Sequence, residues 1–182
     1  MIFSKPLYYI RDVKDHLVRK DDILWRTSQS NYKYDSLDNK DHFISNTDYT
    51  LERVDWFEYA FTEKDQLAYG KFIHDKFGKD MWGVTLAWFQ QYYLTSGSQH
   101  GWHNHINPNN PPPNNLTNIY YVELKDKSLR TVLKHPKTGK EIIPRVKEGQ
   151  ILTFDAKILH KSPPNTTPNR KTVVSFNIRF LK

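Results

Sequence analysis

The stretch WGVTLAWFQQYYLTSGSQHGWHNH, residues 82–105, is where the fold of this chain can be read. Its first half is β-branched and aromatic with a period of two, which predicts a long strand ended by Thr95-Ser96-Gly97-Ser98. His100, His103 and His105 follow among glycine, tryptophan and asparagine. Residues two apart on extended chain point to the same side, so His103 and His105 can both reach one ion. A third ligand has to come from another strand. His160 ends GQILTFDAKILH, residues 149–160, a glycine turn and a strand running into a histidine.

Working outward, further strands are expected at LTNIYYVEL (116–124), RTVLKH (130–135), EIIPRV (141–146), GQILTFDA (149–156) and KTVVSFNIRF (171–180), with a turn at Thr138-Gly139. Residues 81–182 therefore read as a mainly β core, a barrel or sandwich. Ahead of it, Thr62 caps a predicted helix over 63–77, whose Leu67, Ala68, Phe72, Ile73 and Phe77 recur at helical spacing before Gly78 stops it. Residues 1–60 read as polar and irregular, with apolar clusters PLYYI (6–10) and VDWFEYAF (54–61) packing over the core. The expected organisation is one domain over 1–182, with 1–80 as helical and irregular support for the core at 81–182. His16 and His42 are expected to be exposed, and His74 to be a partly buried structural histidine. The proline-rich INPNNPPPNN (106–115) reads as a loop leaving the histidines and covering their site.

Composition narrows the chemistry. The sequence has no cysteine, which excludes disulfides, thiolate nucleophiles and iron–sulfur clusters, so any metal binds through nitrogen and oxygen. The formal charge of +7 admits a nucleic acid, an anionic surface or an acidic substrate as partner, but no nucleic-acid module accompanies it. No apolar run approaches a membrane span, and the N-terminus becomes charged too soon for a signal peptide, so a cytoplasmic location and no membrane partner are expected. The Asn-x-Thr sequences at Asn115 and Asn165 are read as chance matches.

A metal-chelating anionic cosubstrate needs a charge partner deeper in the barrel. Arg170, in NRKTVVSFN (169–177), offers a planar fork suited to a carboxylate. Thr172, two residues on, shares its face and can donate a hydroxyl to the same group. Alternatively, His100 joins His103, or two histidines suffice with water. Asn177 is a candidate for the pocket lining.

The set HNH (103–105), His160 and Arg170, with IYYV (119–122), resembles the Fe(II)- and 2-oxoglutarate-dependent dioxygenases, and is most similar to those of bacterial and tailed-phage type. The resemblance covers residues 88–180 and extends to the prolyl-hydroxylase-type members. It implies a double-stranded β-helix, a jelly roll of cupin-like form, and an oxidoreductase using Fe(II), 2-oxoglutarate and O2 to hydroxylate a substrate with release of succinate and CO2. By the same resemblance His103, His105 and His160 hold the iron, while Arg170, Thr172, Tyr121 and Tyr93 reach the 2-oxoglutarate pocket. The family's usual carboxylate ligand is replaced here by His105, although three-histidine iron sites occur in related cupin dioxygenases. The prolyl-hydroxylase likeness favours a protein or peptide substrate. Two rival readings are a cupin-like metalloenzyme without 2-oxoglutarate, using His100, His103, His105 and His160, and a non-enzymatic β-sandwich module.

Overall fold

Two separate apolar sets, on opposite faces of one sheet, divide the chain into layers. The computed structural model describes residues 6–35, 41–48, 55–94, 98–106 and 114–181. Most of the loop at 106–115 thus lies outside the described residues. One six-stranded sheet has the order β1 (Tyr8–Asp12), β10 (Gln150–Asp155), β7 (Leu116–Leu124), β12 (Lys171–Phe180), β5 (Met81–Tyr92) and β4 (Asn46–Thr47). The second has the order β2 (Tyr34–Asp35), β3 (His42–Ile44), β6 (Gln99–His103), β11 (His160–Ser162), β8 (Val132–Lys134) and β9 (Glu141–Ile142). Every pairing is antiparallel. Strands do not begin at residue 81: β1 edges the first sheet, and β2 and β3 extend the second.

Helices α1 (His16–Ser28), α2 (Trp56–Ala60) and α3 (Glu63–Phe77) supply the layer outside the first sheet. Trp56, Phe57, Phe61, Tyr69 and Ile73 pack there with Ala87, Phe89, Tyr120, Val122, Val174, Phe176 and Ile178. Phe176 is the centre of this layer, with ring centroids 5.0 Å from Phe57, 5.6 Å from Phe61 and 5.5 Å from Tyr69. A buried polar network centred on Asn118 joins helix to sheet. The Asn118 carbonyl accepts from the Tyr69 hydroxyl at 2.6 Å and from Thr153 at 2.8 Å, and its amide donates to the Phe176 carbonyl at 3.2 Å.

α3 starts and ends where the sequence predicts. Thr62 Oγ1 accepts from the Asp65 N–H, and Gly78 closes the helix with φ of +62°. Its buried face runs through Asp65, Tyr69 and Ile73, while Leu67 is 68% exposed, so the apolar stripe lies further round than expected. Asp65 is buried because its carboxylate accepts the backbone N–H groups of Lys14 and Asp15, both at 3.1 Å, just ahead of α1. α1 was expected to be irregular. Only Ile23, Thr27 and His16 turn inward while Leu17, Val18 and Trp25 face out, so no apolar stripe marks it in the sequence.

Between the sheets lies the second set, with Tyr92, Ile119, Tyr121, Leu133, Val146, Leu152, Phe154 and Val173. β12 separates the two sets by simple alternation. Thr172, Val174, Phe176 and Ile178 face the helices, and Lys171, Val173, Ser175 and Asn177 face the space between the sheets.

Three histidines differ from expectation. His16 is buried, its Nδ1 2.7 Å from the Tyr120 hydroxyl, and it packs under Gly149. His42 stands against His100 rather than in solvent. His74 is exposed and bonded to Asp80 at 2.9 Å, having turned off the apolar side of α3. Asn165 is buried, with its amide donating to the carbonyls of Tyr92 and Asn169, which leaves it closed to glycosylation. Among the described residues, no helix is long and apolar enough to cross a membrane.

Truncating the ring at the centre of the helix layer tests this packing. Phe176→Ala should lower unfolding free energy by about 3–5 kcal/mol in guanidinium titration. A loss below about 1 kcal/mol would contradict it.

Candidate metal and cosubstrate site

The site is built on the antiparallel pairing of β6 with β11, which sets His160 opposite His103 and Ser162 opposite His100. His105 lies just past β6, where its N–H donates to the Ala156 carbonyl at 3.0 Å. One ring nitrogen from each of His103, His105 and His160 lies within 4.8 Å of the others. Packing holds the rings in place: Trp88 stands 5.4 Å from His105 and Phe154 stands 4.8 Å from His160, centroid to centroid.

The tautomers follow from the partners. Nδ1 of His103 donates to the Gly101 carbonyl at 2.7 Å, and Nδ1 of His160 donates to the Ile158 carbonyl at 3.1 Å. Nδ1 of His105 donates to Asn177 Oδ1 at 2.6 Å, an oxygen that also accepts from Thr117 at 3.2 Å. Carbonyl oxygens only accept, so each of these Nδ1 atoms carries the proton and each Nε2 keeps its lone pair. Second partners of this kind orient the histidines of metal sites. Burial disfavours the charged form of all three. His103 is pushed down to about 3, His105 to about 4, and His160 well below its ordinary value. All are neutral at pH 7, the state in which imidazole ligates a metal.

The cavity they face is also lined by Trp88, Gln90, Tyr92, Ser162, Lys171 and Ser175. As it stands it encloses about 20 Å³, room for a water-sized group. Lys171 is the cation in it. Its side chain is buried, its Nζ donates to Ser162 Oγ at 2.8 Å, and the Tyr92 and Tyr121 rings lie 5.0 and 5.7 Å away. Burial lowers its pKa to about 7.

Arg170 and Thr172, expected to hold the cosubstrate, lie on the far side of β12. Arg170 Nε donates to Glu123 Oε2 at 2.6 Å, and Thr172 donates to the same oxygen at 3.0 Å. They are a charge-paired cluster at the helix face, whereas the cavity is lined by the next residue, Lys171. Tyr93 is displaced in the same sense: its hydroxyl donates to Gln91 Oε1 at 2.7 Å on the helix side, while Tyr92 enters the cavity wall. Lys171 and Tyr92 are neighbours across the β12–β5 ladder, so both shifts express one parity. Tyr121 does point between the sheets, where its hydroxyl donates to Thr131 Oγ1 at 2.7 Å and burial raises its pKa to about 12. His100 lines the cavity beside His103, with rings 3.7 Å apart. Lys171 could have been found in the sequence, because Ser175 and Asn177 make the polar parity of β12 and Lys171 shares it.

No protein-family model matches this chain, and no curated protein matches its sequence. Solved structures do. The viral collagen prolyl hydroxylase of Paramecium Bursaria Chlorella virus-1, in its 2OG complex, is 14% identical over all of both chains with a TM-score of 0.63. A Trichoplax adhaerens prolyl hydroxylase, bound to a hypoxia inducible factor peptide fragment, is 12% identical over 94% of this chain and 83% of its own, with a TM-score of 0.64. The α-ketoglutarate-dependent epimerase SnoN of nogalamycin biosynthesis is 11% identical over 96% of this chain and 78% of its own, with a TM-score of 0.70. The chain has their fold, the double-stranded β-helix. In it, the β6–β11 register sets the histidines of this chain beside one open space, and β12 carries Lys171 along its wall.

The neutral histidines make metal-free stability depend on pH. Unfolded chains take up protons at histidine as pH falls through about 6.5, whereas the buried rings stay neutral down to about 4. Acid therefore favours the unfolded state, by up to about 1.4 kcal/mol per pH unit for each such ring between those two values. The guanidinium midpoint of metal-free protein should fall steadily from pH 7 to pH 5.5; a flat profile would contradict the buried, neutral triad.

Proposed function

We propose that this protein is an Fe(II)- and 2-oxoglutarate-dependent oxygenase that hydroxylates its substrate. The observation that carries this reading is the coexistence, in one cavity, of three imidazoles with free Nε2 lone pairs and a buried lysine that, among the described residues, meets a hydroxyl and two aromatic rings but no carboxylate. Three nitrogens on one side of an ion leave positions open on the other, the arrangement that suits oxygen-using Fe(II). A buried ammonium near them suits the far carboxylate of a chelating dicarboxylate. His103, His105 and His160 would hold the metal, and Lys171 the cosubstrate's distal end. When bound, the pair supplies oxidation by O2, in which the keto acid leaves as succinate and CO2 and one oxygen atom enters a substrate C–H bond.

The chain's own residues do the positioning. Asn177, Gly101 and Ile158 fix the imidazole tautomers. Lys171, now bonded to Ser162, would hold the far carboxylate of the cosubstrate. Trp88, Phe154 and Ile119 keep water from the imidazoles. With His105 in place of a carboxylate, the iron would carry one more net positive charge than in the usual site, which strengthens its hold on an anionic chelator. A protein or peptide side chain is the substrate class favoured here, on the likeness to two prolyl hydroxylases, one of them seen with a peptide. The location proposed is the cytoplasm.

Succinate release from 2-oxoglutarate, with Fe(II) and O2, tests the assignment. His160→Ala should abolish it. Lys171→Ala should raise the KM for 2-oxoglutarate about 30-fold or more, the cost of losing a buried charge partner. Arg170→Ala should change it less than about threefold, as expected of a partly exposed ion pair. Equal rates in all four proteins would overturn the proposal. Anaerobic addition of 2-oxoglutarate to the Fe(II) protein should also give a weak visible charge-transfer band, whose absence would favour a metalloenzyme without this cosubstrate. Because burial sets the Lys171 pKa to about 7, the affinity for 2-oxoglutarate should weaken as pH rises above 7 and the ammonium is lost. An affinity independent of pH between 6.5 and 8.5 would remove Lys171 from that role.

A further inference from the structure

A second convergence of histidines stands on the outer side of the first. β3 pairs with β6 so that His42 lies directly opposite His100. One ring nitrogen from each of His42, His100 and His103 lies within 4.8 Å of the others. The rings are in contact, with centroids 4.6 Å apart for His42 and His100, 3.7 Å for His100 and His103, and 5.8 Å for His42 and His103. The two triads overlap only at His103.

The backbone is shaped to bring this second set together. The Gly101 N–H donates to the Asp41 carbonyl at 2.8 Å, drawing the start of β3 onto β6. A Cβ at position 101 would stand 2.8 Å from Asp41 Cβ and 3.3 Å from His42 Nε2, so only glycine allows the approach. The Gly101 carbonyl meanwhile takes the Nδ1 proton of His103. A single residue thus seats His42 and sets the tautomer of the shared ligand. The Gln90 amide lies 3.4 Å from His100 Nδ1 and accepts Ser175 Oγ at 3.3 Å. Turning that amide over, with the serine hydroxyl reversed, lets it accept the Nδ1 proton and frees His100 Nε2 as a ligand.

We propose that His42, His100 and His103 form a second, outer site for a nitrogen-preferring divalent ion such as Zn(II), Co(II) or Ni(II), mutually exclusive with the inner site. The exclusivity follows from valence. His103 has one nitrogen tied to Gly101, so its remaining lone pair serves one ion at a time. An all-imidazole set without carboxylate suits these borderline ions, with water completing the coordination. An ion held outside would deprive the inner site of His103, so such metals should inhibit by competing with the inner ion rather than with substrate. The outer site goes beyond the oxygenase reading and stands or falls independently of it.

Cobalt(II) titration of the chelator-stripped full chain, followed by visible d–d absorption, tests this directly. The wild type should bind one equivalent, not two. His160→Ala, which disables the inner site, should still bind one, at least ~100-fold more tightly than the double variant His42→Ala/His160→Ala. His105→Ala serves as the second inner-site variant should the first unfold, and His42→Gln replaces His42→Ala on the same ground, with far-ultraviolet circular dichroism checking each. Equal affinity of His160→Ala and the double variant would overturn the outer site, and two equivalents in the wild type would overturn the exclusivity. Binding by His160→Ala with none by His42→Ala would support the outer site while removing the inner one on which the oxygenase reading depends.

Discussion

The backbone register between β6 and β11 is the constraint on which the chemistry of this protein depends. It sets His103 opposite His160, and a slip of one residue would turn one of the two imidazoles to the outer face of the sheet. The register is held from three sides. β8 pairs with β11 beyond His160, β3 pairs with β6 beyond His100, and the segment after β6 is fastened by the His105 N–H to Ala156. Four short strands thus define positions that none of them could hold alone, since an isolated strand pair of this length is marginal in water.

A second constraint acts through β12, the strand with an apolar layer on each side. Its helix face is anchored by Phe176, and the ring contacts there leave no freedom to rotate the strand. Whatever faces the helices at one position dictates what faces the histidine cavity at the next. Tyr69 and Asn118, distant from the histidines, therefore take part in aiming Lys171 through the packing of the layer between them.

Much of this was legible in the chain. The strands β7 and β12 fall where period-two patterning and turn residues place them, and α3 is bounded by the threonine and glycine that mark it. The histidines could be grouped because chain geometry limits which residues share a side. That Lys171 rather than Arg170 lines the cavity has an instructive reason. Arg170 is the better carboxylate fork in isolation, but Glu123, which also accepts from Thr172, pairs with it on the outer face, and only the polar parity of Ser175 and Asn177 tells which side is inner. Tyr93 failed with it, being set by the same ladder. The amino-terminal segments were least legible. α1 has no stripe to reveal it, and His42 sits in a short strand whose meaning comes wholly from pairing with a distant partner.

The side chains lining the cavity include bases, hydroxyls, an amide and an ammonium, but no acid among the described residues. The imidazoles are neutral at pH 7, so what this lining offers small anions is hydrogen-bond donors and the protonated fraction of Lys171, with no carboxylate among the described residues to repel them. Selection among them must then rest on shape and on the ability to chelate an ion, rather than on charge. Citrate, oxalate and phosphate are accordingly poor choices of buffer in metal titrations of this protein, since each binds divalent ions itself and competes with the imidazoles for them.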